Sequence, residues 1–323
     1  MKISVIICTY NRAASLHRAL TSLSAMSVPK DIAWEILVVD NNSTDDTKDQ
    51  TSRFAQSTDI NVRYVFEGRQ GLNHARNAGI KAAKGELLIF IDDDVEVTDN
   101  WLAQMKDAFD RYPVVGVGGK VILKETLEKP AWWVAEYDGA LGKFDAGDSI
   151  ILSDDTYTSI IGIGANLGFK KSAFDKHGLF RPDLDRRKNK LSMGGDVEFA
   201  RRIKNRGELT MYYPAAVVYH CPVTDRLTKS YLRRWYFRIG EWQALRVPAG
   251  TSKAQTLLTV PISRYGSALA HLLKALSATL SPYNQEGFHH ELEFVAELGY
   301  FFGALKNSLN RLRHFRAHRF RDY

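Results

Sequence analysis

The sequence predicts an α/β protein with a Rossmann-like, mostly parallel sheet flanked by helices and a helical appendage at its C-terminal end. Three observations predict it. Short apolar runs of strand length alternate with stretches of helical spacing, and each early run ends in a polar cluster. The last third of the chain replaces that alternation with longer two-faced segments rich in basic side chains. Strands joined through helices need crossovers, and crossovers give parallel strands covered on both faces.

Each element has a sequence reason. Ile3 to Cys8 is a buried strand that passes into the polar loop Thr9-Tyr10-Asn11-Arg12, and Ala13 to Leu23 carries helical spacing. The run Ile36 to Val39 ends in Asp40-Asn41-Asn42-Ser43-Thr44-Asp45, where Ser43 or Thr44 is placed to cap the next helix. Val62 to Phe66 leads through Gly68-Arg69-Gln70-Gly71 into a helix over Asn73 to Ala83, which Gly85 ends. Glu86 to Ile91 then delivers Asp92-Asp93-Asp94, after which Asp99 or Asn100 is placed to cap a helix from Trp101. Ligands of open α/β sheets bind beyond the carboxyl ends of strands, so these polar clusters converge at one edge.

The acidic triplet carries the chemistry. Three adjacent carboxylates repel unless water, hydrogen-bond donors or a cation offset their charge. Magnesium or manganese, hard cations that accept carboxylates together with substrate phosphates, suit that position. From these residues alone a solvated acidic turn remains the alternative. His220 follows another apolar run, Ala215 to Tyr219, and so falls at a strand end facing the same cleft.

The motifs resemble the GT-A glycosyltransferases of the family-2 type. Cys-Thr-Tyr-Asn-Arg at 8 to 12, Val-Val-Asp-Asn-Asn-Ser-Thr-Asp at 38 to 45, Ala-Arg-Asn-Ala-Gly at 75 to 79 and the acidic triplet follow that family's order, over roughly the first 220 residues. The resemblance implies a nucleotide-sugar site built from Thr9, Tyr10, Arg12, Asp40, Arg76, Asp92 and Asp93. Tyr10 offers a face for base stacking, Asp40 accepts from an imide N–H, and Arg76 supplies planar donors. It also implies a metal held by Asp94, with His220 as a further protein contact, and a UDP-sugar as the expected donor. Gly164-Ala165-Asn166 and Gly194-Gly195-Asp196-Val197-Glu198-Phe199 resemble acceptor-side segments. The second departs from the family's Gly-Glu-Asp, because Gly195 replaces the acid and leaves Asp196 as the base for the acceptor hydroxyl, with Glu198 its neighbour. One base implies a single displacement with inversion. Trp132 and Trp133 are a candidate sugar platform or, equally, core; Asn166 and Glu198 complete the acceptor-side set.

At 323 residues and 45% hydrophobic content, the chain accommodates one large domain over 1–222 and a basic helical region over 223–323. The two cysteines, Cys8 and Cys221, favour a reducing compartment, and the start of the chain lacks a convincing signal peptide. Residues 221–323 hold 15 Lys+Arg and 7 Asp+Glu, a balance of +8; the remaining 29 basic and 30 acidic residues give −1. Leu258, Ile262, Tyr265, Leu269, Leu272, Leu273, Leu276 and Leu280 share a helical stripe, with Arg264, Ser267, His271 and Lys274 on another. That pattern suits either the face of an anionic membrane or packing against protein. The resulting expectation is a metal-dependent inverting transferase acting on a glycan, lipid-linked or other cell-envelope acceptor. Its expected place is the cytoplasm or the cytoplasmic membrane face, with no nucleic acid partner. A sugar nucleotidyltransferase and a non-catalytic nucleotide-sugar or membrane binder are the alternatives.

Overall fold

Alternate residues of the first strand face opposite ways, and both faces are buried. In β1 (Ile3–Thr9), Ile3, Val5 and Ile7 enter one apolar cluster while Ile6 enters the other, so the strand is central to a sheet with helices on each side. The structure is a computed structural model that describes residues 2–153, 162–184, 195–246, 256–257, 260–278 and 285–319. These form two compact units, residues 1–128 with 134–224, and residues 129–133 with 225–323.

In the first unit, β1 pairs in parallel with β2 (Trp34–Asp40) and with β4 (Leu87–Asp92), and β2 pairs in parallel with β3 (Val62–Phe66). The intervening helices are α1 (Ala13–Ser24), α2 (Thr47–Gln56) and α3 (Leu72–Ala82). This half follows the predicted alternation. Neither expected cap forms as expected. Ser43 Oγ accepts from Asn11 N–H, Asp45 reaches both Thr47 N–H and Ala13 N–H, and Asp99 accepts from Ser27 N–H.

The second half of the sheet is mixed. After β5 (Val95–Val97), α4 (Trp101–Arg111), β6 (Gly116–Leu123) and β7 (Ile151–Leu152) come β8 (Asn166–Lys170), α5 (Lys171–His177), α6 (Gly195–Lys204) and β9 (Thr210–His220). The sheet order is β3-β2-β1-β4-β8-β6-β9-β5, with β7 beside β9 and β8 antiparallel to β4. α1 and α4 pack on one face through Leu16, Leu20 and Trp101; on the other, Phe174 of α5 stacks at 4.4 Å on Phe199 of α6.

The second unit contains α7 (Lys229–Arg246), α8 (Ile262–Ala278) and α9 (Gln285–Arg319). α7 and α9 meet backbone to backbone. A Cβ on Gly240 would strike the Ala296 carbonyl, one on Gly299 the Phe237 carbonyl, and one on Gly303 would lie 2.6 Å from Glu241 O. Only glycine permits that approach. The antiparallel α8 meets α9 through a stacked Tyr265–Phe301 pair at 5.0 Å and a His271–His290 contact at 3.2 Å.

The expected stripe on α8 therefore divides. Tyr265 faces inward with Arg264, which pairs with Glu297 at 3.0 Å, whereas Ile262, Leu269, Leu273 and Leu276 remain exposed. Leu258, Leu280, Gly194 and Arg321 lie outside the described residues, as do the side chains of Arg311, Arg313, Arg316 and Arg319.

Candidate active site

Strand register assembles the site. Cys8 lies beside Asp92 and Thr9 beside Asp40, so the ends of β1, β2 and β4 bring the Thr9 loop, Asp40 and the acidic triplet to one edge. The chain turns at Asp93-Asp94 into β5, whose Val95 pairs with His220 of β9. Cys221 N–H donates to Asp94 O at 2.8 Å and secures the turn against that strand end. Two segments more than a hundred residues apart are thus fixed by ladder hydrogen bonds, not by side chains alone.

The triplet divides its work. Asp94 Oδ1 lies 3.0 Å from His220 Nε2, and its Oδ2 accepts from Arg12 at 2.9 Å. Asp93 accepts from Arg12 at 3.0 Å and from the Thr9 hydroxyl at 2.8 Å. Burial first, and then the Asp94 charge, push the Asp93 carboxyl above the usual carboxylate range, against the pull of Arg12 and Thr9. Burial opposes the charge of Arg12, but Asp93 and Asp94 outweigh it and raise its pKa. Thr9 and Arg12 accordingly hold the acidic turn itself.

Asp92, Asp94 and His220 each present a ligand atom, and those atoms lie within 4.8 Å of one another. Two hard carboxylates and an imidazole suit magnesium or manganese, manganese being the more tolerant of nitrogen. His220 is buried, and its Nδ1 has no hydrogen-bond partner. Gly142 backs it at φ 85°, where an added Cβ would sit 3.2 Å from His220 Cε1. The donor set fits a divalent cation.

On the nucleotide side, Asp40 Oδ1 accepts from Ser43 N–H at 2.8 Å and Oδ2 from the Tyr64 hydroxyl at 2.6 Å. Burial, then this carboxylate, raises the Tyr64 pKa well above its ordinary value. Tyr10 is half-buried on the same loop. Asn41, which the sequence reading passed over, binds Glu67 O, Arg69 O and Gly71 N–H and so shapes the loop entering α3. A buried amide with no partner in the local sequence leaves no periodic signal.

Asp196 sits in the first turn of α6, with Oδ2 accepting from Gly164 N–H at 2.7 Å and Oδ1 from Val197 N–H at 2.9 Å. Gly164 precedes Asn166 by two residues, and Asn166 pairs with Ile91, the residue before Asp92. This register carries Asp196 to the edge that holds the triplet. Arg76 is buried beneath it, 5.5 Å from the Phe180 ring, with its guanidinium closing on Gly164 where Asp196 also lies. Gly195 has a packing reason, since a Cβ there would strike Asn73 Nδ2 of α3. The missing family acid is replaced by space for that amide.

The four residues expected on the acceptor side have other surroundings. Asn166 is fully buried; its Oδ1 accepts from Trp101 Nε1 at 2.9 Å, and its Nδ2 donates to Lys120 O and Ala216 O at 3.0 and 2.8 Å. It joins α4, β6 and β9 instead of meeting an acceptor. Glu198 makes a two-pronged pair with Arg202 at 3.1 and 3.0 Å. Trp132 and Trp133 belong to the helical unit, where Trp132 lies edge-on to Phe288 at 5.7 Å and Lys229 sits over both rings. Their apolar faces are used in packing there.

Replacing Asn166 by Ala would strand the Trp101 N–H and two carbonyls in the core. The expected loss is about 3 kcal/mol in urea denaturation, with the acceptor KM of the residual folded enzyme unaltered. Unchanged stability with a raised acceptor KM would return Asn166 to the acceptor.

A polar cleft of about 480 Å³ lies among Ala135, Asp138, Gly139, Lys143, Asp145 and Gly147. It is lined by a short 3-10 helix, Ala135–Leu141, and the residues that follow it, which bear no motif that sequence alone could mark. Lys120 reaches Asp145 at 3.2 Å and Asp148 at 2.6 Å along its rim.

The sequence profile of glycosyl transferase family 2 matches residues 4–178. The chain belongs to that family. This family-2 glycosyltransferase is 27% identical over 243 residues to glycosyltransferase AglE of Haloferax volcanii, covering 75% of this chain and 72% of that protein. It is 37% identical over 127 residues to the GalNAc(5)-diNAcBac-PP-undecaprenol beta-1,3-glucosyltransferase of Campylobacter jejuni, covering 38% and 40% of the two chains. Among solved structures, it resembles the mannosyltransferase PcManGT from Pyrobaculum calidifontis, in complex with GDP-Man and Mn2+, with a TM-score of 0.61. That match has 20% identity and covers 95% of this chain and 87% of the other. The family-2 protein therefore has the GT-A fold, with the mixed sheet and helical C-terminal region described above.

Proposed function

We propose that the protein transfers a sugar, with inversion, from a nucleoside diphosphate donor to a lipid-linked or other cell-envelope glycan. The observation that carries this reading is the meeting of Asp92, Asp94 and His220 with Asp40 and Asp196 at one edge of the sheet. A relative acting on an undecaprenol-linked acceptor supports the acceptor class, and neighbours solved with GDP-Man and with UDP support the donor class. A UDP-sugar is the donor we favour.

Asp92, Asp94 and His220 would hold magnesium or manganese, which when bound supplies positive charge for the departing diphosphate. Tyr10 stacks on the base, while Asp40, kept in place by Ser43 and Tyr64, accepts from it. Arg76 offers donors between the donor sugar and Asp196. Asp196 takes the proton of the acceptor hydroxyl as the new C–O bond forms, on the face opposite the leaving group. The backbone bond from Gly164 keeps that carboxylate aimed. Asp138, Lys143 and Asp145 offer hydrogen bonds to acceptor hydroxyls. The protein works as a peripheral one at the cytoplasmic face of a membrane, where lipid-linked acceptors and nucleotide sugars meet.

Incubation with manganese, labelled nucleotide sugars and lipid-linked acceptors tests the reading. Free nucleoside diphosphate and a product of inverted configuration are expected. Pyrophosphate release would identify a nucleotidyltransferase, a retained configuration would remove the single displacement, and binding without turnover across the whole panel would sink the transferase reading.

A further inference from the structure

We infer that the outer side of the α8–α9 pair is a docking surface for an anionic lipid bilayer. This deepens the peripheral reading above and rests on it. On α8, Leu269, Leu273 and Leu276 are 57%, 58% and 55% exposed, and Ile262 joins them on the same side of the helix. On α9, Leu298, Phe302 and Leu305 form a second stripe at spacings of four and three residues, with Leu305 56% exposed.

The two stripes share one side of the pair. Tyr265 against Phe301 and His271 against His290 mark the seam and show that the helices run antiparallel. At roughly 100° per residue, each stripe lies about a quarter to a third of a turn from the seam, in the direction of increasing residue number. Antiparallel helices turn oppositely when seen from one end, so both displacements go to the same side. Seven large apolar side chains consequently form one face, which a soluble surface rarely leaves unused.

Charge selects the occupant. α8 contains no Asp or Glu, and Lys274 is exposed at the edge of its stripe. Glu291, near the start of the α9 stripe, is paired with Arg233. In sequence, no acid occurs between Glu297 and Asp322, whereas Lys306, Arg311, Arg313, Arg316, Arg319 and Arg321 do. An apolar face on helices whose following sequence is cationic suits an anionic headgroup boundary better than another copy of the same cationic chain. Among the described residues no helix is long and apolar enough to cross a membrane, so the pair lies along the interface.

The test uses the full chain and vesicles of phosphatidylcholine with about a quarter phosphatidylglycerol. The wild-type protein should sediment with them at low salt and bind roughly fivefold to tenfold more weakly at high salt without release being complete, because only the charge contribution is screened. Leu273→Glu with Leu276→Glu should remove sedimentation while manganese-dependent UDP binding and molecular mass stay unchanged. Hydrogen exchange on the wild-type protein settles the matter even if that variant fails to fold: vesicles should slow exchange in residues 262–278 and 298–305. Failure to bind vesicles, or slowed exchange confined to other segments, overturns the docking surface. So does a double substitution that separates a dimer while vesicle binding persists. Intact manganese-dependent UDP binding in any of these cases leaves the transferase reading standing.

Discussion

An Asp94→Asn protein is expected to bind a UDP-sugar equally weakly with manganese and with chelator, and to lose activity by roughly a hundredfold to a thousandfold. Asp94 is the buried carboxylate of the candidate ligand set, and its two oxygens are already aimed at His220 and Arg12. The amide keeps the volume but removes the charge, so Arg12 and His220 lose an anionic partner without a cavity opening. Calorimetric titration at matched ionic strength separates this from misfolding, provided the melting temperature is recorded alongside. Manganese-dependent donor binding of wild-type strength in the variant would contradict the assignment.

Asp196→Asn should act on the other half of the reaction. Donor affinity is expected to stay within about twofold of wild type while kcat falls by on the order of a hundredfold or more. Asparagine Oδ1 can still accept from Gly164 N–H, which keeps the tie to that loop, while the bond from Val197 N–H in the first turn of α6 is given up. The amide oxygen is too weak a base to take the acceptor proton. Stopped assays of product formation, paired with donor titrations, resolve the two steps. Near-normal turnover would exclude Asp196 as the base, and lost donor affinity would make it a structural cap.

The first half of the sheet was legible because β1, β2 and β4 are apolar runs ending in polar clusters, and the helices between them have clear spacing. The second half was harder. β6 contains Gly116, Gly118 and Gly119, and β8 contains Gly168, residues that usually weaken a strand pattern. Here they make room. A Cβ on Gly116 would lie 2.7 Å from the Phe169 ring, and one on Gly119 would strike Asn166. Asn166 belongs to the acceptor-side set by motif resemblance alone; the amide's bonds to Trp101, Lys120 and Ala216 come from segments far away in sequence, which no local pattern marks. Asp94 and His220 could be proposed as metal contacts because each lies at or just beyond a strand end, a position that sequence can mark without knowing the pairing; that Asp92, expected on the nucleotide side, lies with them required the fold. Trp132 and Trp133 gave no such clue, since an aromatic pair reads the same whether it meets a sugar or Phe288.

The glycine seam between α7 and α9 divides the helical unit by tolerance to change. Gly240, Gly299 and Gly303 place backbone directly against neighbouring backbone or side-chain atoms, leaving little room for adjustment. Leu298 and Leu305 stand on the same helix yet contribute little to that contact, being largely exposed. Substitution can therefore rewrite the outer stripe while the inner framework is kept. The inner framework and the outer surface of this unit are thus separately changeable.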